Sequence, residues 1–257
     1  MTKSTELLLP ITMDAESLRV IQARCSESRE QNERFRSLLS ATVSTSLRVD
    51  FARCAIDLAL EHHSAFIRLV EAGEYGSAAA LLRPILEAST IGYWLTYVAP
   101  LETIRSLALD RQDNPVEDVP MLREMAEALI PTFPPIQGLV DGFKKGGPAK
   151  WLHKYTHGGT PQLNRRIEPG WEEGEVVLGL IRADLFSTLA GCLETVLAPN
   201  PALTDYGFTR RDELAEEFRA KFDGPAIPPQ PHTLPPSPFL GGERGLYEVR
   251  GVSEAPR

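Results

Sequence analysis

The sequence predicts an all-α protein: a helical bundle with a Pro/Gly-rich loop segment and a disordered C-terminal tail. Three observations predict it. Apolar residues recur at spacings of three and four over long stretches, the period of a helix face. Period-two alternation bounded by turns is weak everywhere, so no sheet is expected. Residues 224–257 hold eight prolines and five glycines, a composition that cannot bury enough apolar surface to offset the entropy of ordering. One helical domain is therefore expected over residues 1–223, with its core in about 38–197, followed by the tail 224–257.

Asp14 is a cap for a charged surface helix ending near Arg36. From Leu38 to Ala72 a long helix carries a core stripe of Phe51, Ala55, Leu58, His62, Ala65 and Leu69, which leaves His63 pointing elsewhere. Gly73 and Gly76 mark a turn into a second core helix, Ser77–Val98, antiparallel to the first and stopped by Pro100. Shorter helices are expected at Leu101–Arg111 and Pro120–Ile130. Pro131–Gly174 is dense in proline and glycine and reads as mostly loop, with room for short helices. Glu175–Leu197 is the last strong helix, and an amphipathic one with Leu214, Phe218 and Phe222 closes the domain.

Lys and Arg number 27 against 35 Asp and Glu, a net charge of -8 that opposes non-specific attraction to nucleic acid or anionic membranes. Cys25, Cys54 and Cys192 are far apart and odd in number, which suits reduced thiols rather than a disulfide framework or zinc knuckle. Leu7–Leu9 is too short for a signal-peptide core, so a cytoplasmic protein is expected. Ser77–Ala99 and Val176–Ala198 approach membrane-spanning length, but Arg83 and Glu87 interrupt the first and Arg182, Asp184 and Glu194 the second. Both read as buried core helices, and no membrane partner is expected.

Three places can carry chemistry. On the helix from Ser77, Arg83, Glu87, Thr90, Trp94 and Tyr97 form a polar line across an apolar cylinder. Arg83 and Glu87, four apart, make either a buried structural ion pair or the floor of an anion site. The segment Gly142–Ile167 holds Lys144, Lys145, Lys150, Lys154, Arg165 and Arg166 and no acid, so the rest of the chain carries the acidic excess. It reads as a phosphate-binding segment, with Trp151 and Tyr155 as stacking surfaces, or as a basic loop docked on the protein's own acidic surface. His153 and His157, four apart, would share a helix face, but Lys154 stands where a zinc-protease helix has its catalytic Glu, so no metal site is expected. Glycine-rich nucleotide loops, nucleophile elbows and paired-Cys metal spacings do not occur, and no cofactor is implied.

The run Ala-Ala-Leu-Leu-Arg-Pro-Ile-Leu-Glu-Ala with the following Tyr-Trp-Leu, the segment Leu-His-Lys-Tyr-Thr-His-Gly-Gly and the sequence Gln-Leu-Asn-Arg-Arg resemble a group of bacterial helical proteins. That group in turn resembles the HEPN superfamily, and the likeness covers roughly Leu38–Leu197. The resemblance implies a dimeric helical bundle acting as a metal-independent ribonuclease in a toxin or phage-defence system, or a binding-only relative. The superfamily's usual motif, an arginine five to seven positions before a histidine, does not occur here. A spatial pairing of Arg83 with His157 would have to replace it. The expected site is then His157, Arg83 and Glu87 for catalysis, with Lys150, Trp151, Lys154, Tyr155, Arg165 and Arg166 for binding. The expected partners are RNA or a nucleotide, a second copy in a homodimer, or another protein.

Overall fold

The computed structural model describes residues 13–41, 44, 46–108, 119–144, 148–167, 170–222 and 231–240. Ten α-helices follow one another among them: α1 (Ala15–Leu38), α2 (Leu47–Glu71), α3 (Tyr75–Tyr97), α4 (Leu101–Ala108), α5 (Leu122–Leu129), α6 (Gln137–Gly142), α7 (Pro148–Thr156), α8 (Thr160–Ile167), α9 (Glu173–Leu197) and α10 (Pro201–Phe222). No strand occurs among the described residues. The all-α bundle read from helical periodicity is thus the fold.

The core is a three-helix stack of α2, α3 and α9, with α1 and α10 packed on α9 and α5 and α7 on α3. The α2–α3 hairpin closes at Gly73, where the Glu74 amide reaches back to the Leu69 carbonyl at 2.8 Å. Asp14 caps α1 as expected, its Oδ1 accepting from the Ser17 amide at 2.8 Å. Helix α9 is long and apolar enough to cross a membrane by length and composition, yet 72% of its most apolar window is buried in the bundle.

Three expectations need correction. The core face of α2 is Ala52, Ala55, Ile56, Ala59, Leu60, His63, Phe66, Ile67 and Val70; of the expected stripe Ala55 is buried and Phe51 and Leu69 pack at the core's edge, but Leu58 is exposed and His62 only half-buried. The assigned stripe was one step, about 100°, too far round the helix. The proline- and glycine-rich stretch 131–174 is also not mostly loop. Its glycines and prolines separate three short helices, α6, α7 and α8, and a 3-10 turn at Pro134–Ile136. Helix α10 begins at Pro201, where proline suits a first helical position, and runs 22 residues.

The third correction concerns the tail. Residues 231–240, inside the stretch expected to be disordered, lie as a strap against the bundle. The Tyr97 hydroxyl donates to the Pro235 carbonyl at 2.7 Å, Ser237 Oγ to the Thr96 carbonyl at 2.6 Å, and Leu234 packs on the core. Proline itself reduces the cost, because a chain already restricted in φ loses less entropy on docking. Residues 224–230 and 241–257 lie outside the described residues.

A buried polar network ties α1, α2, α9 and α10 together. Asp184 and His63 are fully buried, with His63 Nε2 2.7 Å from Asp184 Oδ1. Asn32 donates to His63 Nδ1 at 2.9 Å and to the Leu60 carbonyl. On its other oxygen, Asp184 receives the Ser28 hydroxyl at 3.0 Å and the Arg24 guanidinium at 2.5 Å. Gln31 donates to the Asp184 carbonyl and accepts from Arg210 of α10. A carboxylate this deep is tolerated only because it is paired and hydrogen-bonded on both oxygens.

Candidate active site

The site is built at the junction of α3 and α7, and Pro84 starts it. Proline has no amide hydrogen, so the carbonyl four residues earlier, that of Ala80, loses its helical donor. Thr156 of α7 donates its hydroxyl to that carbonyl at 3.1 Å, while also reaching its own Leu152 carbonyl at 3.0 Å. Helix α7 is thereby pinned beside the residue preceding the proline, Arg83.

Helix α7 ends at the His-Gly-Gly sequence. Gly158 takes φ +64°, the left-handed conformation that glycine adopts at no steric cost, and the Gly159 amide bonds back to the Lys154 carbonyl at 2.7 Å. The termination leaves His153 and His157 one turn apart on an exposed face, their rings 4.4 Å apart between centroids.

Arg83 Nη1 lies 2.5 Å from His153 Nδ1. A guanidinium can only donate, so Nδ1 accepts and the His153 ring proton sits on Nε2. Glu87 Oε2 is 3.5 Å from Arg83 Nε, with the two side chains 17% and 34% exposed. The pair expected to be buried therefore lines a rim. Desolvation, the Arg83 charge and the neighbouring His157 hold His153 below its ordinary 6.5, against the pull of Glu87. Among the described residues no hydrogen bond engages the His157 ring, and Lys154 between the two histidines is exposed and makes no ion pair there.

The remaining expected site residues divide. Tyr155 is buried, with Trp151 against it at 4.1 Å and Trp171 at 6.2 Å, so it is a packing residue and not a stacking platform. Trp151 is half-buried, its ring 5.9 Å from the Arg182 guanidinium. Arg165 pairs with Glu175, donates to the Gly170 carbonyl and lies 4.7 Å over the Trp171 ring. Here the alternative of a basic residue docked on the protein's own acid holds. The side chains of Lys150 and Arg166 lie outside the described residues. Thr90 and Trp94, on the same line of α3 as Arg83, are buried in the core.

What reading along the chain missed is that His153, not His157, meets Arg83. The available signal was the proline: a freed carbonyl inside a core helix invites a hydroxyl donor, and Thr156 stands three residues beyond His153.

The fold and this rim define an all-α bundle with an exposed arginine–histidine cluster. The chain belongs to the family of unknown function DUF6988, whose model matches residues 56–222, from α2 to the end of α10. No curated protein and no solved structure matches it.

Proposed function

We propose that the protein is a metal-independent ribonuclease whose reacting groups are Arg83, His153 and His157. The observation that supports this most directly is the Arg83–His153 contact with a second imidazole at its edge. With its Nδ1 lone pair engaged by Arg83, His153 offers an N–H donor and not a base. His157 has its nitrogens available and takes the proton of an RNA 2′-hydroxyl. That oxygen attacks the adjacent phosphorus while Arg83 and His153 Nε2–H donate to the non-bridging oxygens as negative charge develops. The bond to the 5′-oxygen breaks, the leaving oxygen takes its proton back from the His157 imidazolium, and a 2′,3′-cyclic phosphate remains. Glu87 orients the Arg83 guanidinium. The HEPN resemblance is compatible with this chemistry, in a toxin or defence setting and as a homodimer, as well as with a binding-only role.

A second reading, RNA or nucleotide binding without cleavage, is favoured by one observation: exposed Lys154 lies between two histidines on the same surface, an arrangement that suits phosphate contacts alone.

The test is incubation of the purified chain with labelled RNA in excess chelator. Cleavage is expected, falling about a hundredfold or more in His157→Ala with binding little changed. Binding at low salt without cleavage selects the second reading. Neither binding nor cleavage rejects both.

A further inference from the structure

The strap 231–240 is held on the bundle by a regular set of contacts. Three anchors recur every fourth residue. At Pro231 the carbonyl accepts from Arg211 Nη1 of α10 at 3.2 Å. At Pro235 the carbonyl accepts from the Tyr97 hydroxyl. At Phe239 the ring lies 4.1 Å from the Arg48 guanidinium. Arg48 is itself fully buried, donating to the Ala99 carbonyl at 2.8 Å and to that of Leu95 at the end of α3. Its charge suits that helix end, and the aromatic face covers the flat side of a cation already withdrawn from water. Between the anchors, His232 pairs with Asp212 at 2.9 Å and lies 6.0 Å from the Phe208 ring, nearly parallel to it.

Two of the three anchors bond backbone carbonyls of proline, and the third takes an aromatic ring. Extended proline-rich segments present such carbonyls without internal hydrogen bonds. The strap meanwhile stays mostly solvent-exposed along its own length, so its attachment is thin.

We infer that the surface of Arg48, Thr96, Tyr97, Phe208, Arg211 and Asp212 is a recognition site for a proline-rich segment of a partner protein carrying an aromatic residue four positions after an anchoring proline. The chain's own strap is its resident occupant. A tethered occupant competes at an effective concentration on the order of millimolar, so a foreign segment gains entry when it binds better than the strap or when the strap is loosened. The site lies at the end of α3 opposite Arg83 and does not depend on the ribonuclease reading.

The experiment uses the full chain and a fluorescein-labelled peptide with the sequence of residues 231–240, followed by anisotropy. Phe239→Ala with Leu234→Ala in the protein loosens the strap, and the peptide is expected to bind this variant at least about tenfold more tightly than the unaltered chain. Adding Tyr97→Phe should weaken that binding about fivefold, the loss typical of one hydrogen bond. A peptide with alanine in place of its phenylalanine should not bind. Should the double variant fail to fold, His232→Ala, which loses one exposed ion pair, replaces it. The inference is overturned if a scrambled peptide binds equally. It is also overturned if no peptide binds while protease cleaves the loosened strap, or if the unaltered chain forms dimers whose straps crosslink between copies, since the occupant is then a second copy.

Discussion

The Thr156 hydroxyl donates to the Ala80 carbonyl at 3.1 Å, filling the vacancy that Pro84 makes in α3. A helix defect is thereby turned into a docking point, and the docked helix carries both histidines of the proposed site. Thr156→Val should leave that carbonyl without its donor and cost about 1 kcal/mol in urea unfolding. It should also loosen the Arg83–His153 contact. Pro84→Ala restores an amide to the Ala80 carbonyl, so in that background Thr156→Val should cost clearly less. Equal costs in the two backgrounds would mean the hydroxyl and the proline are uncoupled.

His153 titrates in a direction set by its neighbours. Desolvation first, then Arg83 and His157, favour the neutral ring. With a folded value below the unfolded one, its contribution to stability is fully present above about pH 6.5 and is lost as pH falls through the folded value. Nuclear magnetic resonance titration of the ring protons should give a midpoint below 6.5. Arg83→Gln should move it upward. A midpoint at 6.5 or higher in the unaltered chain would argue against the arginine contact.

Asp184 sets the acid limit of the fold. Burial pushes its carboxyl up, but the hydrogen bond from His63, the charge of Arg24 and the Ser28 hydroxyl outweigh it and hold it below 3.8. Its stabilising contribution is therefore present above that pH and lost as pH falls through the lower folded value. Asp184→Asn removes the nearest counter-charge of buried Arg24 and leaves it only Glu27 and Glu217 at 3.7 Å, which should cost about 3 kcal/mol at neutral pH. It should also flatten the fall in stability below pH 4, relative to the unaltered chain. A loss under about 1 kcal/mol, the size typical of a surface pair, would mean that the network is not what holds α1 to α9.

Gly191 is where α9 admits a ring. A Cβ there would stand 2.3 Å from two atoms of the buried Phe35 ring. Gly191→Ala should cost about 1–3 kcal/mol through overpacking, and Phe35→Leu in the same chain should relieve part of it. Gly138→Ala, on α6 with open space around the added carbon, should instead leave stability unchanged or raise it by up to about 1 kcal/mol. Calorimetric melting of the three variants measures the contrast.

The sequence by itself determined the long helices and the line of polar residues on α3. Periods of three and four, the Asp14 cap and the stop at Pro100 are local, and local rules write them into consecutive residues. It also marked the Arg83–Glu87 spacing and the acid-free segment, because both are visible without knowing what touches what. Tertiary structure decided which histidine does what. His62 and His63 differ by one 100° step around α2, and the inward one is selected by Asp184, 121 residues away. His153 and not His157 received Arg83, because α7 docks through a threonine onto a carbonyl that only the folded pair of helices brings within reach. Arg165 found Glu175 rather than solvent, and the proline-rich strap found Tyr97 and Arg48. Apart from Glu175, ten residues from Arg165, the deciding partner is remote in the chain, and a group's burial and pairing are fixed by that partner.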